Sequence, residues 1–418
     1  MSEQMPTTRV RRANGRPPAI VLGGGPIAVP VTRSLASAGA TVTVLGTSND
    51  PVGHSRACAE FVDLGSGDGV QDRWLEWLTD RRQDGAVVLP YSDDALELSA
   101  RHRATLFELG YRPAELDPEV TLAMLDKDRT YELARRIGVP TPRTAVSRPG
   151  DDVNVADGVR CRVRSSHGTR TSSRGTSGCA RRHSTPTTGT SSRPNLERLG
   201  ALGLEMIIPG DEDAFQSFYG YFDDRGEPLL QATKQRLRQY PPHFGLATYH
   251  MMSRDPDAIA AGMRFCQGVK LRGIGVVEFK RDSRDGELKL IECNARFTAA
   301  TELVRHSGID LARLAYERAL GRRVAPVRDY RVDVHMWHPI EDVRGALALR
   351  KEGELTAGRW LRSLLHRQHF PIWSWRDPMP TVSNLRLRAR NLTRRPAPGN
   401  AHVSPGVATA PERDKTPA

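Results

Sequence analysis

Apolar residues near the start of the chain alternate between strand-like and helix-like spacing. From Ala19, the run AIVLGGGPIAVPVTRSLASAGATVTVLG predicts a buried strand, a glycine turn, a helix over 27–37 and a second strand over 41–45. The run GAVVLPYSDDALELSA at 85–100 repeats the order, with Ser92 or Asp93 as the helix cap. Strands that alternate with helices in this way indicate a parallel sheet. The pattern therefore predicts a parallel α/β domain over residues 18–117.

Three consecutive glycines follow the first predicted strand. Gly23, Gly24 and Gly25 permit a tight turn whose free amides could hold an anion at the start of the helix. A dinucleotide site would also need an acidic residue at the end of the second strand, where this chain has Gly46 and Thr47. The turn itself, close to a substrate, is the favoured interpretation.

Alternating positions return at 273–297, in GIGVVEFKRDSRDGELKLIECNARF, which predicts a β-hairpin with a charged turn. Glu278 lies on the first strand, and the period of two places Glu292, Asn294 and Arg296 on one face of the second. Two carboxylates and an amide oxygen are ligands that Mg²⁺ accepts, and a nearby Arg can neutralise a phosphoryl group. The alternative is a solvated hairpin face with incidental ion pairs.

Composition limits the protein classes that remain. The 418 residues suffice for two or three domains, and no apolar run of about 18 residues predicts a membrane span. The polar residues 1–17 predict neither a signal peptide nor a fold element. Five cysteines without CxxC or metal-like spacing indicate a reduced cytoplasmic protein.

The net charge of +12 is concentrated in two segments. Residues 158–198 contain nine Arg against one acidic residue, and residues 350–395 contain eleven basic against three acidic residues. Each segment carries +8, which leaves −4 for the rest of the chain. Because the net positive charge comes from two local segments, it does not by itself indicate a specific nucleic-acid partner.

Four further motifs share an order with the hairpin. A helix opening with Asp-Lys at 126–127 ends in GVPTP, and it is followed by IIPGDED at 207–213 and by the basic strand KQRLRQYP at 234–241. Together these motifs, over residues 18–325, resemble the ATP-grasp superfamily, in particular predicted carboxylate-amine ligases of the D-aspartate ligase type. The resemblance implies an α/β fold in which a parallel N-terminal domain precedes two α+β subdomains that enclose a nucleotide, with a C-terminal extension. The implied subdomains are 118–210 for the nucleotide and 211–325 for catalysis.

The resemblance also implies roles for particular residues. Its metal ligands, for Mg²⁺ or Mn²⁺, would be Glu278, Glu292 and Asn294. Its ATP-binding residues would be Lys127 and Glu205, although Glu205 is shifted by one residue from the usual carboxylate, and Lys127 could be an ordinary surface lysine. Its catalytic residues would be Arg296, Lys234 and Arg238, since Lys234, Arg236 and Arg238 alternate on a strand and would present three cations to an acid. A solvated edge strand is the other interpretation of that basic strand.

Residues 158–198 depart from the family. Where a strand and a glycine-rich phosphate-binding hairpin are expected, the segment has fifteen Ser or Thr, nine Arg and hardly an apolar residue. This composition predicts neither a strand nor a helix, and we expect the segment to be disordered. A nucleic-acid-binding arm, an inserted linker and translation out of frame are three explanations, of which we favour the last. Arg162 or Arg164 would then stand in for a second phosphate lysine, and activity of this chain is expected to be weak or absent.

The C-terminal extension, 326–392, carries the stripe Trp360, Leu361, Leu364 and Leu365 among arginines. Packing against the body is favoured over contact with anionic lipid. The tails, 1–17 and 393–418, are expected to be disordered. The sequence thus predicts a cytoplasmic ATP-dependent ligase that joins a small-molecule carboxylate to an amine through an acyl-phosphate. The alternative is a non-catalytic nucleotide-binding or polyanion-binding scaffold.

Overall fold

The computed structural model describes residues 15–147, 161–165, 202–206, 208–242 and 245–393. At 144–147, 161–165, 202–206 and 391–393 it describes the backbone. Most of the arginine-rich segment and of the two tails, for which disorder was predicted, lies outside these ranges.

The N-terminal region is built on a parallel five-stranded sheet in the order β3-β2-β1-β4-β5. Its strands are β1 (Ala19–Leu22), β2 (Val42–Gly46), β3 (Glu60–Asp63), β4 (Val87–Pro90) and β5 (Arg112–Pro113). The helices between them are α1 (Ala28–Ser37), α2 (Val70–Asp80), α3 (Asp93–Arg101) and α4 (Arg103–Glu108), with a short 3₁₀ helix at Pro51–His54. Strands β1, β2 and β4 are entirely buried, as their continuous apolar sequences require. The predicted parallel α/β region is confirmed.

Two helices and a small sheet come next. Helix α5 (Pro118–Met124) and helix α6 (Lys127–Arg136) are capped by Asp117 and Asp126, whose carboxylates accept backbone N–H groups. The small antiparallel sheet contains β6 (Thr144–Ser147), β7 (Cys161–Ser165) and β8 (Leu202–Met206), with β8 in the centre. The prediction that no strand forms within 158–198 is wrong for Cys161–Ser165, whose backbone pairs with β8.

The largest sheet has seven strands in the order β13-β12-β9-β10-β11-β14-β15. They are β9 (Phe215–Phe222), β10 (Pro228–Tyr240), β11 (Leu246–Ser253), β12 (Gly273–Arg281), β13 (Leu288–Asn294), β14 (His335–Trp337) and β15 (Gln368–His369). All neighbours are antiparallel except β14 and β15. The predicted hairpin is confirmed as β12 and β13, and we call this sheet the main sheet.

Six further helices surround the main sheet. They are α7 (Pro256–Gly268), α8 (Thr301–His306), α9 (Leu311–Ala319), α10 (Pro339–Lys351), α11 (Ala357–Ser363) and α12 (Met379–Thr393). A further 3₁₀ helix spans Glu212–Ala214. Helix α7 packs closely on β9, because a Cβ atom on Gly262 would lie 2.2 Å from the ring of Phe218.

One apolar core continues from the parallel sheet into the main sheet. It includes Val21 and Leu89 of the parallel sheet, Tyr219 and Val276 of the main sheet, and Leu303 of α8 between them. Burial on this scale is the main source of stability. It also holds the carboxyl end of β4 close to the end of β13.

Candidate active site

One row of side chains crosses five strands of the main sheet. The register places Glu292 opposite Glu278, Glu278 opposite Ser217, Ser217 opposite Lys234, and Lys234 opposite Met252. Directly paired residues point to the same face of a sheet. Two carboxylates and a lysine, from three separate parts of the sequence, therefore share one face.

Arg236 joins the row from two positions further along β10. Its Nη2 donates to Oε2 of Glu278 at 2.8 Å, and its Nη1 donates to Oε1 of Gln239 at 2.7 Å. The guanidinium carbon also lies 4.0 Å from the ring centroid of Phe215. Both partners of the ion pair are largely buried, with 10% and 18% of their side chains exposed. Arg236 is thus held rigidly beside the carboxylates.

Glu292 and Asn294 lie at the end of β13, as the alternation predicts. Nδ2 of Asn294 donates to Oε1 of Glu292 at 3.0 Å. Crowding by protein atoms and then the neighbouring Glu278 carboxylate raise the pKa of Glu292, although its outer side is open to solvent. Two carboxylates that disfavour each other's charge form a site that attracts a cation.

Lys234 is the most deeply buried cation of this face, with 3% of its surface exposed. Burial and, to a smaller extent, the charge of Arg236 lower the pKa of its ammonium group to about 8, although Glu278 partly opposes the shift. A charged lysine is thus retained here at a cost to stability. Such a cost is typical of a residue kept for binding or chemistry.

Replacing Lys234 with methionine should therefore stabilise the fold. Because the folded-state pKa lies below the unfolded value of 10.5, the charged side chain opposes folding at neutral pH, and this penalty disappears as the pH rises from 8 to 10.5. We expect Lys234→Met to raise the free energy of unfolding by about 1–3 kcal/mol at pH 7 and by much less at pH 10.5. Urea unfolding at both pH values measures this difference, and a Lys234→Met protein less stable than the parent at pH 7 would contradict it.

Arg296 lies just beyond β13 and contacts the N-terminal region. Its Nε and Nη2 donate to the two carboxylate oxygens of Asp93 at 2.5 and 3.2 Å, and Nη1 donates to the carbonyl of Phe297. Burial opposes the charge, but Asp93 raises the pKa of the guanidinium. Asp93 is the first residue of α3, so Arg296 joins the end of β4 to the end of the hairpin.

Lys127 is the first residue of α6. Its Nζ lies 5.3 Å from the ring centroid of Tyr131, and the hydroxyl of Tyr131 donates to the carbonyl of Ile291 at 3.0 Å. The positive charge of Lys127 also lowers the pKa of Glu292. Lys127 is therefore close to the carboxylates. The side chain of Glu205 lies outside the described residues, as do those of Arg162 and Arg164.

Arg238 does not belong to this face, and the expectation of three cations on one face is wrong. An irregularity in β10 pairs Arg236 with His250 but Arg238 with Tyr249, and these consecutive residues of β11 point to opposite faces. The Arg238 guanidinium instead binds both carboxylate oxygens of Asp342 at 2.8 and 2.9 Å and the hydroxyl of Ser363 at 2.7 Å. These contacts attach the C-terminal extension, and a catalytic role for Arg238 stays a prediction.

Several buried nitrogen atoms beside Arg236 have no hydrogen-bond partner among the described residues. They are Nε of Arg236, Nε2 of Gln239, both ring nitrogens of His250, and Nε2 of His338. Burial and the charge of Lys234 hold the pKa of His250 well below its usual value, so this imidazole is neutral at neutral pH. These unpaired nitrogen atoms include the donors Nε of Arg236 and Nε2 of Gln239, and such donors next to Lys234 suit an anionic ligand.

The glycine turn after β1 holds one of the chain's own carboxylates. Oδ2 of Asp50 accepts the backbone N–H of Thr47 at 2.6 Å, and the backbone of Gly25 also hydrogen-bonds to this carboxylate. Burial raises the pKa of Asp50 despite these bonds. Tyr91 lies against the same turn, with its hydroxyl 3.1 Å from where a Cβ atom on Gly25 would lie. The predicted anion-holding turn thus exists, and Asp50, which the sequence analysis missed, is bound there.

Gly24 should tolerate no side chain. A Cβ atom at this position would lie 1.8 Å from Oδ2 of Asp50. We expect Gly24→Ala to lower the free energy of unfolding by about 1–3 kcal/mol. Thermal unfolding measures the loss, with Gly358→Ala as control, because no atom lies within 4 Å of a Cβ there. Equal stability of Gly24→Ala and the parent would contradict the close contact.

The parallel sheet, the small antiparallel sheet and the main sheet, with the carboxylates on its hairpin, define a fold class. The chain has the ATP-grasp fold. A biotin carboxylase from Campylobacter jejuni, solved as a beta-gamma-ATP complex, aligns with a TM-score of 0.57 at 13% identity over 76% of this chain and 74% of its own. An L-amino acid ligase from Bacillus licheniformis aligns with a TM-score of 0.54 at 15% identity over 73% of this chain and 76% of its own.

Sequence comparison adds a shorter match. A D-aspartate ligase from Enterococcus faecium (strain Aus0004) is 26% identical over 116 residues, which are 27% of this chain and 28% of that protein. No family model matches the chain. Among the described residues, no helix is long and apolar enough to cross a membrane.

Proposed function

We propose that this protein is an ATP- and Mg²⁺-dependent carboxylate-amine ligase that forms an amide bond through an acyl-phosphate. The observation that carries the proposal is the row in which Glu278 and Glu292 face each other beside Lys234 and Arg236. The D-aspartate ligase and the L-amino acid ligase to which the chain is similar support the same reaction class.

The donor set suits a divalent cation of the Mg²⁺ type. Glu278, Glu292 and the amide oxygen of Asn294 provide hard oxygen ligands, and Mg²⁺ commonly takes its remaining ligands from water and phosphate. Burial and the neighbouring Glu278 carboxylate raise the pKa of Glu292, and a cation bound between the two carboxylates would oppose that shift. Mg²⁺ bound there would supply charge neutralisation for the phosphate oxygens of ATP.

Four cations of the chain surround this pair. Lys234 and Arg236 lie on β10, Arg296 lies just after β13, and Lys127 is the first residue of α6. ATP carries several negative charges, and phosphoryl transfer depends on positioning and on stabilising that charge. We assign Lys127 and Arg296 to the phosphates, and Lys234 and Arg236 to the carboxylate substrate and its acyl-phosphate.

The proposed reaction needs no nucleophilic side chain. An oxygen of the substrate carboxylate attacks the γ-phosphorus, forming the acyl-phosphate and releasing ADP. The amine then attacks the acyl carbon and loses a proton, and inorganic phosphate leaves. Since both nucleophiles come from substrates, the protein's contribution is orientation and electrostatic stabilisation.

A screen for ADP release over pairs of amino acids tests the proposal. Release that requires both a carboxylate and an amine supports it, together with formation of the amide product. The screen is run on this chain and on a version with the phosphate-hairpin reading frame restored, since weak activity is predicted for this chain. Resequencing the gene tests that frame, because compensating one-base shifts should bracket 158–198.

The scaffold alternative predicts a different set of results. It predicts salt-sensitive binding of polyanions through the arginine-rich segments, no substrate-dependent ADP release from either version, and no effect of Glu292→Ala on that binding. That combination would overturn the ligase proposal.

A further inference from the structure

The exposed apolar side chains of this protein are concentrated in its C-terminal extension. Of the eleven large hydrophobic residues that are exposed in the described part of the chain, eight lie between residues 340 and 385. Leu365 is 81% exposed, and Trp375 is 85% exposed. The expectation that the stripe at 360–365 packs against the body is therefore wrong for Leu361 and Leu365. Concentrated exposed apolar side chains mark an interaction surface.

Helix α10 presents an ordered apolar stripe to solvent. Ile340, Val343 and Leu347 are 38%, 38% and 61% exposed, and their spacing of three and four residues places them on one face. Exposed basic residues flank this stripe, namely Arg344, Arg350 and Lys351, and they outnumber the exposed Glu352 and Glu354 just past the end of the helix. The opposite face of the helix is buried on β10, where a Cβ atom on Gly345 would lie 2.9 Å from the carbonyl oxygen of Gln239.

Helix α11 lies beside α10 and also exposes apolar and basic side chains. Nε1 of Trp360 donates to Asp342 of α10 at 2.9 Å, which fixes the two helices together. Leu361 is 57% exposed, and both Arg359 and Arg362 are exposed. We call the exposed face formed by these residues of α10 and α11, together with Leu365, the amphipathic surface.

We propose that the amphipathic surface binds the face of a bilayer that contains anionic lipids. Apolar side chains with flanking Arg and Lys match the boundary between acyl chains and negatively charged headgroups. A second copy of the chain fits poorly, because a symmetric contact would bring the basic residues of both copies together. The tail at 394–418 offers no complement, since it contains only two acidic residues and no apolar residue larger than valine.

Flotation of the full chain with vesicles tests the proposal. We expect binding to vesicles of phosphatidylcholine with about 30% phosphatidylglycerol, and little binding to phosphatidylcholine alone. Leu347→Ser with Leu365→Ser keeps every charge and should lower the partition coefficient about tenfold. Arg359→Gln with Arg362→Gln should lower it about fivefold for each residue. Phe107→Ser removes a 53% exposed ring from α4, outside the amphipathic surface, and should leave the partition coefficient unchanged.

Three outcomes would overturn the proposal. No binding to the anionic vesicles is the first. The second is binding that the two serine substitutions leave unchanged, since the arginine-rich segment at 158–198 would then account for it. The third is a dimer in solution that the same substitutions dissociate while vesicle binding persists. Circular dichroism of each variant confirms that the fold is kept, which the exposure of the substituted side chains leads us to expect.

Discussion

Glu292→Ala should lower substrate-dependent ADP release by about 10²- to 10³-fold. The substitution removes one of the two carboxylates that face each other across β12 and β13, and with it the charge that would hold a divalent cation at the phosphates. We expect the loss in kcat, together with weaker Mn²⁺ binding followed by electron paramagnetic resonance. The free energy of unfolding should change little, because the Glu292 side chain is exposed and the two carboxylates repel each other.

Glu287→Ala is the matched control, since Glu287 is an exposed carboxylate in the turn of the same hairpin. It should leave ADP release and Mn²⁺ binding unchanged. If Glu292→Ala retained the parent's activity, the carboxylate pair would not be the metal site, whatever the fold.

Asp342→Ala should lower the free energy of unfolding by about 3–5 kcal/mol. Asp342 is fully buried in α10 and accepts hydrogen bonds from Arg238, Thr248, Trp337 and Trp360. Its loss leaves the Arg238 guanidinium, of which 8% is exposed, without its counter-charge. Chemical denaturation of the two proteins measures the difference.

Glu341→Ala tests the same helix at the neighbouring position. Glu341 forms a half-exposed pair with Arg388, and its loss should cost about 0–1 kcal/mol. Equal losses for the two variants would contradict the role of Asp342. Burial alone would raise the pKa of Asp342, but Arg238 and the two indoles outweigh it and hold the folded-state pKa below the unfolded value of 3.8. The contribution of Asp342 to stability is therefore present at neutral pH and is lost as the pH falls below 3.8.

Local sequence patterns were sufficient for the hairpin and for the start of the parallel sheet. The period-two alternation placed Glu292 and Asn294 on one face, and the turn residues Asp285 and Gly286 located the reversal between β12 and β13. Likewise, the apolar run from Ala19 and the glycine turn gave β1, α1 and β2 nearly to the residue. In both cases the deciding interactions lie within about 25 residues, so a short window contains them.

Other features depend on contacts between distant segments. The irregularity in β10 that turns Arg238 to the opposite face follows from its pairing with β11 and has no signature in the alternating cations. The contact of Asp93 with Arg296 joins residues 203 positions apart. Asp50, by contrast, had a signal in the three glycines, because a turn without Cβ atoms permits a close approach by another group.

The main sheet extends past the end of the catalytic subdomain that the sequence predicts at 325. Strand β14 hydrogen-bonds to β11, and β15 follows β14. A protein trimmed at 325 would leave β11 as an open edge, with a row of unpaired N–H and C=O groups, and would remove Asp342, the ion-pair partner of Arg238. The C-terminal extension thus completes the main sheet. A protein shortened at residue 325 is expected to aggregate instead of folding independently.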